Sequence, residues 1–267
     1  MISESAYFAN VRPQIDFVVL PEDVGERGFE YPGRRIIFNK NIFHGWTDYA
    51  PAQDIYLAAS TEAALAVSEH NRRHLALAYP HLPIYRVDVE IDPTVFQFRP
   101  LSDKRKIVVC SSKAAEMMHP LLRMVHARAA AGLNAARCFD WVFLEGRSER
   151  EAATLLGEAA MLLSCNVAEG LGRTTLEAMA CGCIVLGSGS GPLEGRIASP
   201  CSFLYGNLLE AVGAVEQSLA ALSSDLGRLQ EYADANLVTA KSWSPENQAN
   251  TVLRAWDEIM GRKSGWA

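Results

Sequence analysis

The sequence has no apolar run of the roughly 18–20 residues that a membrane-spanning helix needs, because Arg, Glu, Asp or Pro interrupts every long aliphatic stretch. Its opening, MISESAYFANVRPQ, has neither a basic segment followed by an apolar one nor an Arg-rich amphipathic pattern, so no export signal is visible. A reducing, cytoplasmic setting is expected, with at most peripheral contact at the inner face of a membrane. Basic excess is lacking too. Lys+Arg number 25 against 31 Asp+Glu, a net charge of −6, which argues against a surface built to wrap nucleic acid. Cysteines are few, and Cys181-Gly182-Cys183 is their only close pair; without a second ligand cluster the thiols read as small buried hydrophobes. His70, His74, His81, His119 and His126 have no metal-ligand spacing with acids or cysteines, and no Asp-x-Asp pair is present. No metal and no cofactor is expected. Internal repeats and low-complexity segments are absent.

With 267 residues, 49% hydrophobic and 21% charged, the chain can bury a sizeable core and make two modest domains. Short apolar runs at Phe17–Leu20, Ile36–Phe38 and Ala64–Val67, each bounded by turn formers, predict buried parallel strands. Ser68 is the expected N-cap of a helix over 69–79, and Ile84–Val89 reads as another strand. The Pro-flanked stretch from Ile91 to Pro100 makes a plausible connection between domains. In the second half, strands at Lys106–Cys110, Trp141–Leu144, Ala160–Ser164 and Cys183–Leu186 alternate with helices at Met117–Ala131, Glu149–Gly157 and Thr174–Ala180. That rhythm means an α/β fold with a parallel sheet, since parallel strands require crossover connections. The tail from Leu208 to Met260 reads as helical, broken at Trp243-Ser244-Pro245.

Ligands of open parallel sheets bind beyond the carboxyl ends of the strands, which directs attention to the loops after Cys110, Leu144, Ser164 and Leu186. The loop after Ser164 is the unusual one. Gly170 and Gly172 let the backbone approach a ligand, and a helix starting near Arg173 or Thr174 presents its N–H groups to an anion such as phosphate. Glu169 and Glu177, eight residues apart, supply carboxylates that can accept hydrogen bonds from paired sugar hydroxyls. Glu177 stands in the apolar context Leu176-Glu177-Ala178-Met179-Ala180, where a carboxylate is out of place unless it has work to do. Gly187-Ser188-Gly189-Ser190-Gly191-Pro192 is not a dinucleotide fingerprint, because Pro192 holds the third glycine's place and the loop follows the wrong strand.

The segment EGLGRTTLEAMACGCIVLGSGSGPLEG, which also includes the acid Glu194, resembles the E-x7-E signature of the family 4 GT-B glycosyltransferases. AVSEHNRRHL, the Asp92…Phe96…Pro100 spacing and KSWSPENQANTVLRAWDEI carry a weaker resemblance across most of the chain. The resemblance implies a GT-B-like α/β protein with two Rossmann-like parallel-sheet domains. Residues 1–100 would form an N-terminal, acceptor-side domain, incomplete because the chain begins at about that domain's third or fourth strand. Residues 101–243 would bind the donor, and 244–267 would form a closing helix packed back on the first domain. The implied reaction moves a sugar from a nucleotide-diphosphate sugar, such as a UDP-, GDP- or TDP-sugar, to an acceptor hydroxyl with retention of configuration. Glu177 would take the ribose and Glu169 the donor sugar's hydroxyls, while Gly170, Leu171, Gly172, Arg173 and Thr174 would line sugar and diphosphate. Lys113 would face the leaving diphosphate, where a fixed cation offsets developing charge. The family's usual neighbouring Arg is replaced by Ser112, so Arg173 or Arg123 would have to substitute. His44 lies where the family often has a residue near the reacting sugar. The acceptor is open among glycan, lipid-linked and small-molecule classes, and a homo-oligomer or partner subunit could cover the shortened domain. The competing reading is a catalytically degenerate nucleotide-sugar-binding or scaffold protein.

Overall fold

A computed structural model of the chain describes residues 8, 10–46, 54–166, 168–187, 193, 196–199 and 202–261. The chain divides into two compact units, one drawn from Met1–Val89, Glu169–Leu171 and Gln248–Ala267, the other from Glu90–Ala168 and Gly172–Asn247.

The first unit is built on a parallel sheet of β1 (Phe17–Pro21), β2 (Arg34–Asn39), β3 (Thr61–Ala66) and β4 (Ile84–Arg86), in that spatial order. Side chains alternate across it, as a period of two requires. Ile37, Ala64 and Ala66 pack with Leu75 and Tyr79 around helix α2 (Glu69–Ala78), which Ser68 caps by accepting the Asn71 N–H at 3.1 Å. On the other face Ile36, Ala63 and Leu65 meet Ala255 and Ile259 of the last helix, α8 (Pro245–Gly261), where Trp256 also sets its ring edge-on against Phe17. A four-residue helix, α1 (Ile42–Gly45), follows β2 and is capped by Asn41. β4 is shorter than its apolar pattern predicts. Val87 N–H still reaches the Ala66 carbonyl, but the next amide, Asp88, turns to Thr251 Oγ1 at 2.9 Å, and a backbone group satisfied by a helix side chain no longer extends the ladder.

The second unit carries β5 (Lys106–Cys110), β6 (Asp140–Phe143), β7 (Ala159–Ser164) and β8 (Ile184–Gly187), all parallel, in the order β6-β5-β7-β8. One face, with Ile107, Val109, Met161 and Leu163, is buried under α3 (Ala115–Ala130) and α6 (Leu208–Ser224). Ala160 and Ile184 on the other face meet Leu229 and Ala233 of α7 (Leu226–Lys241). α4 (Glu149–Glu158) begins in a capping box, Ser148 with Glu151, and α5 (Arg173–Ala180) joins β7 to β8. The helical tail breaks at the expected Trp243-Ser244-Pro245 and also at Asp225, whose side chain accepts the Arg228 N–H and starts α7. Four of the described cysteines are buried, with burial pushing the Cys181 thiol up to about 12 and that of Cys183 up to about 11, while Cys138 is exposed. No described helix is long and apolar enough to cross a membrane.

Candidate functional site

α5 starts differently from most of its neighbours. Side chains of Ser68, Ser148, Asn207 and Asp225 cap α2, α4, α6 and α7, but α5 begins at Gly172, in the left-handed conformation with φ +76°, and no side chain caps it. A glycine reaches that conformation without strain, and its lack of a side chain leaves the first amides of the helix uncovered. Only Ala114, which opens α3 after β5, is likewise without a side-chain cap among the second unit's α-helices with a described N-cap. Both uncapped ends lie at the carboxyl edge of the second sheet, where the dipoles of the helices favour an anion.

The sequence-derived residues separate into two groups. Gly172, Arg173, Thr174 and Glu177 lie on α5 or at its start, and Lys113 is exposed in the turn that leads from β5 to α3, all in the second unit. Glu169, Gly170 and Leu171 group with the first unit, as does His44 on α1. Gly170 is held firmly there. Its carbonyl accepts the Ser68 hydroxyl at 2.5 Å, and a Cβ at this position would run into the Lys40 carbonyl, in the turn that leads to α1. Leu171 is buried, Glu169 is half-buried, and His44 is exposed. Glu194 and the Ser188–Pro192 stretch of the glycine-rich loop lie outside the described residues.

Glu177 is buried at 9% exposure, and burial raises its carboxyl above the ordinary range while Arg173 acts in the opposite sense. Arg173 Nε is 2.9 Å from Glu177 Oε1, and its Nη2 is 3.1 Å from Glu149 Oε1. One guanidinium therefore links the buried acid to the first residue of α4. Sequence reasoning missed Glu149, since an acid after a serine cap is ordinary helix-start chemistry. It also missed Glu145, which accepts from both the amide and the hydroxyl of Ser111 and so ties the loop after β6 to the loop carrying Lys113. The signal for neither is local, because both depend on which strand ends lie side by side.

The two parallel sheets with helices on each face make this an α/β chain with the GT-B fold of glycosyltransferases. Sucrose-phosphate synthase from Thermosynechococcus elongatus is similar over 97% of this chain and 76% of its own, with a TM-score of 0.69 and 13% identity. A trehalose 6-phosphate synthase from Burkholderia multivorans matches over 98% and 75%, with a TM-score of 0.68 and 11% identity. Anabaena HepE in complex with UDP and glucose matches over 85% and 72%, with a TM-score of 0.62 and 12% identity. No family model and no curated protein sequence matches the chain.

Proposed function

We propose that the protein is a retaining glycosyltransferase of the family 4 type, moving a hexose-like sugar from a nucleoside-diphosphate sugar to an acceptor hydroxyl. The observation that carries this reading is the uncapped start of α5 one turn from a buried carboxylate, Glu177. Phosphate oxygens suit the free amides of Gly172, Arg173 and Thr174, and the two ribose hydroxyls suit a carboxylate that can accept from both. Lys113 supplies positive charge to the leaving diphosphate. Glu169 orients the hydroxyls of the donor sugar, Gly170 and Leu171 line it, and His44 serves the reacting centre from α1. The acceptor oxygen bonds to the sugar's C1 as the C1–O bond to the diphosphate breaks, and the departing phosphate oxygen takes the acceptor's proton on the same face, which preserves the configuration. No metal is assigned a part. Residues 1–100 serve the acceptor, 101–243 the donor, and the helix within 244–267 completes the first domain. The solved HepE complex with UDP and glucose supports a UDP-sugar as the donor to try first.

Thermal unfolding of the chain with UDP, GDP, TDP or CMP tests this reading. A ligand at 100 times its Kd adds about 2.7 kcal/mol to stability, and one nucleoside diphosphate should do so for the wild type but not for Glu177→Ala. A panel in which no nucleotide shifts the wild-type transition would overturn it.

A further inference from the structure

The clasp Glu149–Arg173–Glu177 joins the starts of two helices, and its parts are unequal. Glu177's side chain is 12% exposed, whereas Arg173 is 50% and Glu149 57% exposed. Exposed ion pairs add little to stability, so the Glu149–Arg173 contact is a weak reason for the fold to stand. Its geometry has a definite effect, however. Arg173 is the first residue of α5, where a cation meets the positive end of the helix dipole and no first-turn acid offsets it. Two carboxylates hold it instead, Glu149 from α4 through Nη2 and Glu177 from its own helix through Nε. Glu177 Oε1 is thereby engaged by a side chain that also reaches an acid outside the helix.

We propose that Glu149 is a positioning residue for the donor nucleotide, acting through Arg173 to hold the Glu177 carboxylate turned to accept both ribose hydroxyls. The inference rests on the assignment of Glu177 to the ribose. A planar guanidinium suits the task because its Nε and Nη2 edges engage two different acids at once, which a lysine ammonium cannot do in a fixed plane. With one oxygen anchored, the pair of oxygens presents a set orientation to vicinal hydroxyls. With Glu149 neutralised, Arg173 keeps only its bond within α5 and the orientation loosens. Ribose recognition should then weaken while the diphosphate contacts stay as they are.

The test measures Kd by calorimetry for UDP and GDP and for their 2′,3′-dideoxy counterparts, in the wild type and in Glu149→Gln, Glu149→Asp and Arg173→Gln. The ratio of the two constants reports ribose recognition alone, which a general loss of folding would not alter selectively. Hydrogen bonds to a charged group correspond to a wild-type ratio on the order of tenfold or more. We expect the ratio to collapse toward one in Arg173→Gln, to fall several-fold in Glu149→Gln, and to be rescued in Glu149→Asp, with melting temperatures of the Glu149 variants lowered only slightly, as loss of a first-turn acid requires. A wild type that binds UDP or GDP but keeps the same ratio in Arg173→Gln and Glu149→Gln overturns the positioning role and leaves the donor site standing. A wild type that binds neither ribonucleotide overturns this inference, and the wider nucleotide panel of the melting experiment then decides the donor site.

Discussion

Lys104 is the most completely buried charged side chain among the described residues, at 1% exposure, and its Nζ donates to the Cys181 carbonyl at 2.7 Å. Cys181 is the residue that closes α5, so the ammonium sits against the negative end of the helix that carries Glu177. Burial holds its pKa below the ordinary lysine value. The opposing contributions are of similar size. Taking an ammonium out of water costs several kcal/mol, while a hydrogen bond to a charged group returns about 1.5–3 kcal/mol and a helix C-terminus up to about 2 kcal/mol. Removing the charge while keeping the volume should therefore change little. The Cys181 carbonyl would not be orphaned, because it also accepts the Arg99 N–H at 3.1 Å. Urea unfolding at pH 7 should place Lys104→Met within about 1.5 kcal/mol of wild type, and Lys104→Ala lower than Lys104→Met by about 2–5 kcal/mol from the cavity it opens. The sign with pH follows from the lowered pKa. The unfolded chain holds this proton to higher pH than the folded one, so Lys104 adds stability as pH rises toward 10.5, and Lys104→Met should lose that slope. Equal destabilisation in the two variants would contradict this balance, since it would make the charge, not the packing, the feature the site requires.

Two further outcomes are expected. Glu177 has the opposite linkage: its raised pKa makes the stability it contributes greatest below the ordinary carboxylate value near 4.5, and that stability is lost as pH rises through its folded-state pKa. Arg173→Gln removes the partner that opposes the shift, so carboxyl-carbon NMR should find Glu177 titrating at higher pH in the variant; an unmoved titration would show that the ion pair does not govern it. Gly170→Ala forces a Cβ against the Lys40 carbonyl, a backbone atom that cannot rotate away, and should cost about 1–3 kcal/mol in chemical denaturation. An alanine variant as stable as wild type would show that the loop simply moves aside.

Much of the fold was legible because its signals are local. Strands such as β5 and β7 are aliphatic runs too short for helices and bounded by Ser or charged residues, and Ser68 marks the start of α2 directly. What escaped depended on distant partners. Thr251 ends β4 from 163 residues away in sequence, so no window around Val87 could reveal it. Asp225 divides the tail into separate helices with a single capping bond inside an otherwise continuous helical pattern. Within the site, Glu177 was visible as an acid in an apolar helix, and Gly172 as the glycine at the helix start. The partition of Glu169–Leu171 from α5 was not visible, because it arises from the fit of Gly170 against Lys40 and Ser68. Glu149 and Glu145 gain their parts only when the second sheet brings the ends of its strands together.

The most direct test of the donor-site assignment is a backbone amide NMR titration with UDP-glucose, and with the GDP- and TDP-sugars in turn. One of them should shift the amides of Gly172, Arg173 and Thr174 most strongly, with saturation, and Glu177→Ala should weaken the response at the same amides. Shifts that leave the start of α5 untouched, whichever nucleotide sugar is added, would contradict it.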